Sequence, residues 1–357
     1  MNWETRWKDS VMRKFTAFMQ PLAVFGAALP IYGMLVGSAE AHVKWFCAFD
    51  VAGQPRGLEN VLCSDFEYLI GLSLIALLAG ALFEGTHIGA AMQRSMDRVT
   101  APILDRTELM FRAGTAFFFI AVWGFGGVLL TPELKTDSAL IGAIQLGIAA
   151  GMLSRRTMPL SALGIVVLYA TALYNYGLFH LLDYPVFLGV AAYLALTGLQ
   201  RDFFGIKAID IVRWTAGVTL MWASIEKWAY PEWTYPLLAQ HPGMTLGFDA
   251  DFYMRAAGAV EFALAFALVW TPLVRRVAAI MLTPMFIGAV FTFGKVDMIG
   301  HTLIVVVLFA IAADNRSSNR ELVRYPYLMP VGYAAALALF MAAYYGAHTA
   351  LFGTSFL

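Results

Sequence analysis

Glu261 lies inside an apolar run, AAGAVEFALAFALVW, with no other charged residue in it. A carboxylate at such depth costs about 2.5–3.5 kcal/mol on insertion scales unless it is paired, protonated or wet. Two readings follow: a functional carboxylate, or a structural ion pair with a cation such as Arg255 or Lys227. Four further ionisable residues fall near the same membrane face. Glu226 and Lys227 close the preceding apolar run, and Asp297 and His301, with Lys295 beside them, open a later one. A carboxylate and an imidazole can take up and release protons, and an ammonium can stabilise a developing anion. The same groups could hold a metal. The plainer alternative for His301 is a hydrogen-bonded structural histidine at a membrane edge.

Aromatic residues crowd the end of the Glu226 run: Trp222, Trp228, Tyr230, Trp233 and Tyr235. A Trp/Tyr belt is expected at any membrane–water boundary. The second reading is a ring-shaped ligand, a quinone, held against Trp222, Trp228 and Trp233. A copper or zinc site could combine His301 with His42, because Ala39-Glu40-Ala41 resembles a cleavage site that would leave His42 as a new N-terminus. The apolar run before it is long enough to span, which favours an uncleaved helix. No two histidines have metal-ligand spacing. There is no CxxCH, Walker loop or GxGxxG and no evident facing pair of mid-span histidines, so neither haem nor a nucleotide is expected. Cys47 and Cys63 share the loop at 39–65. A disulfide between them is expected if that side is oxidising, and two free thiols are the alternative.

These residues are carried by apolar runs. The chain has 60% hydrophobic and 13% charged residues and a mean hydropathy of +0.69, far from a soluble domain. Eleven runs approach the ~20 residues that cross a bilayer, at about 17–38, 66–84, 112–131, 138–153, 159–178, 185–199, 209–226, 253–271, 277–293, 300–314 and 328–347. In lipid such runs satisfy their backbone groups only as helices. The fold class is therefore an all-α polytopic membrane protein, and the lipid bilayer is its first partner; nothing points to nucleic acid. Every second loop is basic, for example Arg155-Arg156, Arg275-Arg276 and Arg316, Arg320 and Arg324. The positive-inside rule then puts the N-terminus in the cytoplasm of a bacterial inner membrane and the C-terminus in the periplasm. The segment 85–111 mixes apolar and basic residues as a helix lying at the interface does.

Two stretches of four runs read alike, about 112–199 and 209–314. Each opens on an arginine (Arg112, Arg213), then has a Gly-Ala-apolar-polar step (Gln145, Glu261) and an Arg-Arg pair. Each ends on an aromatic-x-aromatic-Gly turn, YNYG at 174–177 and FTFG at 291–294, before a short polar loop. Both copies have an even number of runs, so they enter the membrane alike and form a parallel repeat. The division is two N-terminal spans with a loop and an interfacial segment (1–111), a degenerate four-helix repeat (112–208), a second repeat (209–314) and a last span (315–357). Glu261 stands where the first copy has Gln145, so the chemistry is expected in the second copy.

The second copy resembles the DoxX-like four-helix membrane family, whose relatives include DoxD, the membrane subunit of thiosulfate:quinone oxidoreductase. The resemblance rests on Arg213, on Glu226-Lys227 followed by Pro231, on Glu261, on Arg275-Arg276 and on His301. It covers under a third of the chain. It implies a redox-linked subunit that binds quinone or a small reductant near the outer leaflet. Glu261, His301 and Asp297 would handle protons, with Glu226 beside them, and Lys227 would stabilise an anion. Electrons would come from the substrate or from a redox partner on the outer side. A metal-handling protein or a scaffold subunit of a respiratory complex is the alternative.

Overall fold

The computed structural model describes residues 43–355. His42 and the expected first span lie outside the described residues. Eleven long helices follow: α1 (Ser64–Glu84), α2 (His87–Leu104), α3 (Thr107–Phe125), α4 (Ala139–Gly151), α5 (Met158–Leu181), α6 (Pro185–Leu199), α7 (Ala208–Ala229), α8 (Ala250–Leu268), α9 (Pro272–Phe293), α10 (Lys295–Ala313) and α11 (Leu328–Phe352). All but α2 coincide with an expected span. Six of them (α1, α3, α5, α9, α10, α11) are long and apolar enough to cross a membrane. The helices α4 and α6 are shorter but apolar, and α7 and α8 carry Asp210, Arg213, Glu226, Lys227, Asp251, Arg255 and Glu261. The protein is an all-α, multi-pass membrane protein.

Local chemistry sets where these helices begin. Pro185 and Pro272 occupy first helical positions, where a missing N–H costs nothing. The Asp249 side chain accepts from the amides of Asp251 and Phe252 and opens α8. Thr86 accepts from the Gly89 amide at 3.0 Å and opens α2. That helix has the apolar and polar faces of an interfacial element and packs on α10 and α1. Arg276 ties it to α9 through Asp97 at 2.5 Å and Thr100 at 2.9 Å.

The helices of the two expected repeats pack in the same order. In the first, α3 packs on α4, α4 on α5, α5 on α6, and α6 returns to α3; in the second, α7, α8, α9 and α10 close in the same order. The copies meet along α6 against α7 and α10 against α3, while α11 and α1 cover the second copy. The aromatic-x-aromatic-Gly turns are equivalent. Gly177 and Gly294 both have positive φ, 81° and 73°, a conformation costly for any residue with a Cβ. Arg155 Nε donates to the Thr197 carbonyl at 3.3 Å, and Arg276 Nε donates to the Ala312 carbonyl at 2.8 Å. In each copy, then, an arginine from the second turn caps the end of the fourth helix. These arginines mark the basic end of the bundle. The glycine turns mark the opposite, aromatic end.

Candidate functional site

At the aromatic end, between the copies, lies a small cleft with a cavity volume of about 80 Å³, open to the surroundings. Its walls are largely apolar (Val186, Phe187, Leu220, Phe286), and Asp183, Lys227, Glu261 and His301 are among its polar groups. Four separate segments supply them. Glu261 and Lys227 face each other from α8 and α7, with Nζ 3.0 Å from Oε2. The ion-pair partner of Glu261 is thus Lys227. Arg255 instead serves Asp251 at 2.7 Å and Asp65 at 3.7 Å. His301 Nδ1 lies 3.0 Å from Asp297 Oδ2, one helical turn earlier on α10. That contact orients the ring. Asp297 is fully buried, and its other oxygen makes no hydrogen bond.

One side of the cleft is formed by a short segment outside both repeats, the turn Val43–Trp45. Trp45 lies over His301, ring centroids 4.8 Å apart, and Phe286 lies at the same distance on another side. Gly300 makes room for the indole, because a Cβ there would come within 1.9 Å of the Trp45 ring. Beside it, Lys44 is buried, only 4% exposed. Its Nζ lies 2.5 Å from Asp183 of the first copy and 2.5 Å from Glu226 of the second. Phe49 and Trp233 present their rings to the ammonium at 5.7 and 5.6 Å. Burial opposes the charge on Lys44, but the two carboxylates outweigh it and hold its pKa above the ordinary lysine value.

Behind Asp183 the first copy holds a second polar group. The loop 126–138 dips into the bundle, fixed by Gln145 Nε2, which donates to the Val128 and Leu129 carbonyls at 2.7 and 3.0 Å. It delivers Thr131 and Glu133. The hydroxyls of Thr131 and Tyr184 both donate to the Glu133 carboxylate, and His180 Nε2 stands 3.9 Å from it. Burial first, and then the neighbouring Glu133, raise the Tyr184 pKa. After its glycine turn the first copy thus presents a histidine and then an acid (His180, Asp183). The second presents an acid and then a histidine (Asp297, His301).

The cleft runs along the seam: beside Lys227, Glu261 and His301 of the second copy, where chemistry is expected, the first copy contributes Asp183 and Tyr184. Glu226 is turned to Lys44 and does not line the cleft. None of the three expected tryptophans borders it either. Trp222 packs on Phe179 and Tyr344, and Trp228 packs on Phe66 while donating to the Arg255 carbonyl at 3.1 Å. Trp233 stacks on Tyr230 with centroids 4.1 Å apart. The tryptophan at the cleft is Trp45. Cys47 and Cys63 are free thiols, not a disulfide. Cys47 follows the turn that seats Lys44 and lies against the Leu237 backbone, with burial raising its pKa. Cys63 is the residue immediately before α1, and its side chain makes no capping hydrogen bond there. For the metal reading, His42 is outside the described residues, and His301 is engaged with Asp297. Among the described residues no three His, Cys, Asp or Glu side chains come together as a metal site.

Compared with models of known protein families, with curated proteins and with solved structures, the chain matches none.

Proposed function

We propose that this membrane protein binds a small ring-bearing molecule, a quinone or a small reductant, in the cleft between its two repeats, and takes part in a redox process there. What supports the reading is one observation: an oriented imidazole and a Lys–Glu pair from three helices share one apolar-walled cleft. Sites for small molecules have this make-up, a mostly apolar lining with a few convergent polar groups. A quinone would supply two-electron, two-proton chemistry. His301, held by Asp297, would exchange a proton with a ligand oxygen. Lys227 would favour negative charge on a second oxygen, and Glu261 would hold Lys227 in place. Phe187 and Phe286 would flank the ring, and Trp45 would exclude water. The redox part of the proposal rests on the DoxX-like resemblance of Glu226-Lys227, Glu261 and His301, and electrons would come from the reductant or from a partner protein.

The test uses the full-length protein in detergent and a short-chain benzoquinone as titrant. Saturable binding is expected for the wild type. H301Q should weaken it about tenfold, the loss of one hydrogen bond to a polarised group, and E261Q by a similar factor through the release of Lys227 from its place. Melting temperatures of the variants establish that they are folded. No saturable binding to the wild type, or wild-type affinity in both folded variants, would remove the proposal.

A further inference from the structure

A second crevice lies at the opposite, basic end, on the same seam between the repeats. It has a cavity volume of about 360 Å³ and is open to the surroundings. Its floor is apolar, with Leu104, Leu196, Ile209 and Ala310 among the lining residues, and its rim carries Arg155, Arg201, Lys207 and Arg316. Several of these cations are already paired. Arg155 reaches Glu108 at 3.4 Å, Lys207 reaches Asp202 at 2.5 Å, and Arg316 holds Asp210 and Asp314 at 3.1 and 2.7 Å. Positive charge nevertheless remains in excess. Arg201 is exposed and has no acidic partner among the described residues. Behind the rim, Arg213 Nε and Nη1 and Arg275 Nε are buried without a hydrogen-bond partner. Buried charged donors are costly to leave unsatisfied, and these lie around Asp314, itself part of the crevice wall.

We infer that this crevice binds the phosphate headgroup of an anionic membrane lipid, with its acyl chain along the apolar floor. Depth selects the ligand. The rim is formed by helix ends and by the 200–207 connection, where headgroups lie, and the floor runs inward between α6, α7 and α10. A basic pocket between membrane helices whose floor is apolar matches a molecule with an anionic head and a hydrocarbon tail. Arg201 and Lys207 face the opening and can meet the phosphate oxygens, Arg201 through a two-pronged contact. Such a lipid would bridge the copies where they meet.

The full-length protein, delipidated in neutral detergent, is titrated with phosphatidylglycerol, phosphatidylcholine or inorganic phosphate while its melting temperature is followed. A saturable rise with phosphatidylglycerol alone is expected. R201A/K207A, both on an exposed connection, should weaken the apparent affinity about 30-fold, the factor for two basic residues at a membrane surface. R94A/R98A, exposed on α2, should leave it unchanged. An equal loss in both double variants would mean diffuse attraction and overturn the site. An equal rise with phosphatidylcholine, or with inorganic phosphate, would overturn the assignment to an anionic lipid.

Discussion

Lys44 shows how far a residue's role can lie from its sequence signal. In the chain it is one scattered cation in a loop. In the fold its ammonium joins Asp183 and Glu226, two carboxylates from different repeats. Nothing local announces this, because its partners are 139 residues away in one case and on another helix in the other. Glu261 was legible for the opposite reason: a carboxylate in hydrocarbon needs a cation wherever it stands, and Lys227 is that cation. The Lys44 triad makes a sharp prediction. K44M removes the cation but leaves two buried acids, so it should cost about 3–5 kcal/mol in detergent unfolding, whereas K44M/D183N/E226Q should recover most of that loss. Equal stability of the single and triple variants would show that the charges do not interact. The pH dependence has a definite sign. A raised lysine pKa contributes stability that is present below the unfolded value and is lost only as pH rises through the higher folded one. On the lysine's own account the difference between wild type and K44M is therefore level from about pH 7 to pH 9. The two buried acids left without their cation hold protons to higher pH, so the measured K44M penalty should grow as pH rises across that range.

At the scale of elements, ten expected spans became ten helices, because hydrocarbon leaves a long apolar run no other way to satisfy its backbone. The glycine turns were legible too, since Gly177 and Gly294 take a conformation that side chains resist. The loop 126–138 and the turn Val43–Trp45 were not. Both are tucked into the bundle by contacts with distant helices, and neither has a periodic pattern to read. The turn is held partly by shape, with Trp45 against the bare backbone of Gly300. G300A would push a methyl group into the indole and should cost about 1–3 kcal/mol, as overpacking does. Removing the indole first should abolish that cost, so W45A/G300A should be no less stable than W45A alone. Additive losses in this cycle, measured by thermal unfolding, would show that the two residues do not touch.

The whole molecule has two chemically different ends along one seam. Acids, histidines and aromatic rings gather around Lys44 and Lys227 at one end; guanidinium groups gather around Asp210 and Asp314 at the other. The layout follows from the two four-helix sets, since each places its glycine turn at one end and its helix-capping arginine at the other. The sequence divides the helices into two sets of four but does not tell that the seam between the sets, rather than the interior of one, holds both clefts. The seam depends on how α6 meets α7 and α10 meets α3, and helix periodicity does not encode that. The polarity yields a prediction about orientation. Loops rich in arginine are retained on the cytoplasmic side, so the end carrying Arg155, Arg201 and Arg316 should face the cytoplasm and the Lys44 turn should face outward. In a background with Cys47 and Cys63 changed to Ser, A48C, at an exposed position beside that turn, should react with a membrane-impermeant maleimide added to intact cells. R201C in the same background should react only after the membrane is opened. The reverse pattern would place the Lys44 turn and the cleft beside it at the cytoplasmic face and overturn the expected topology.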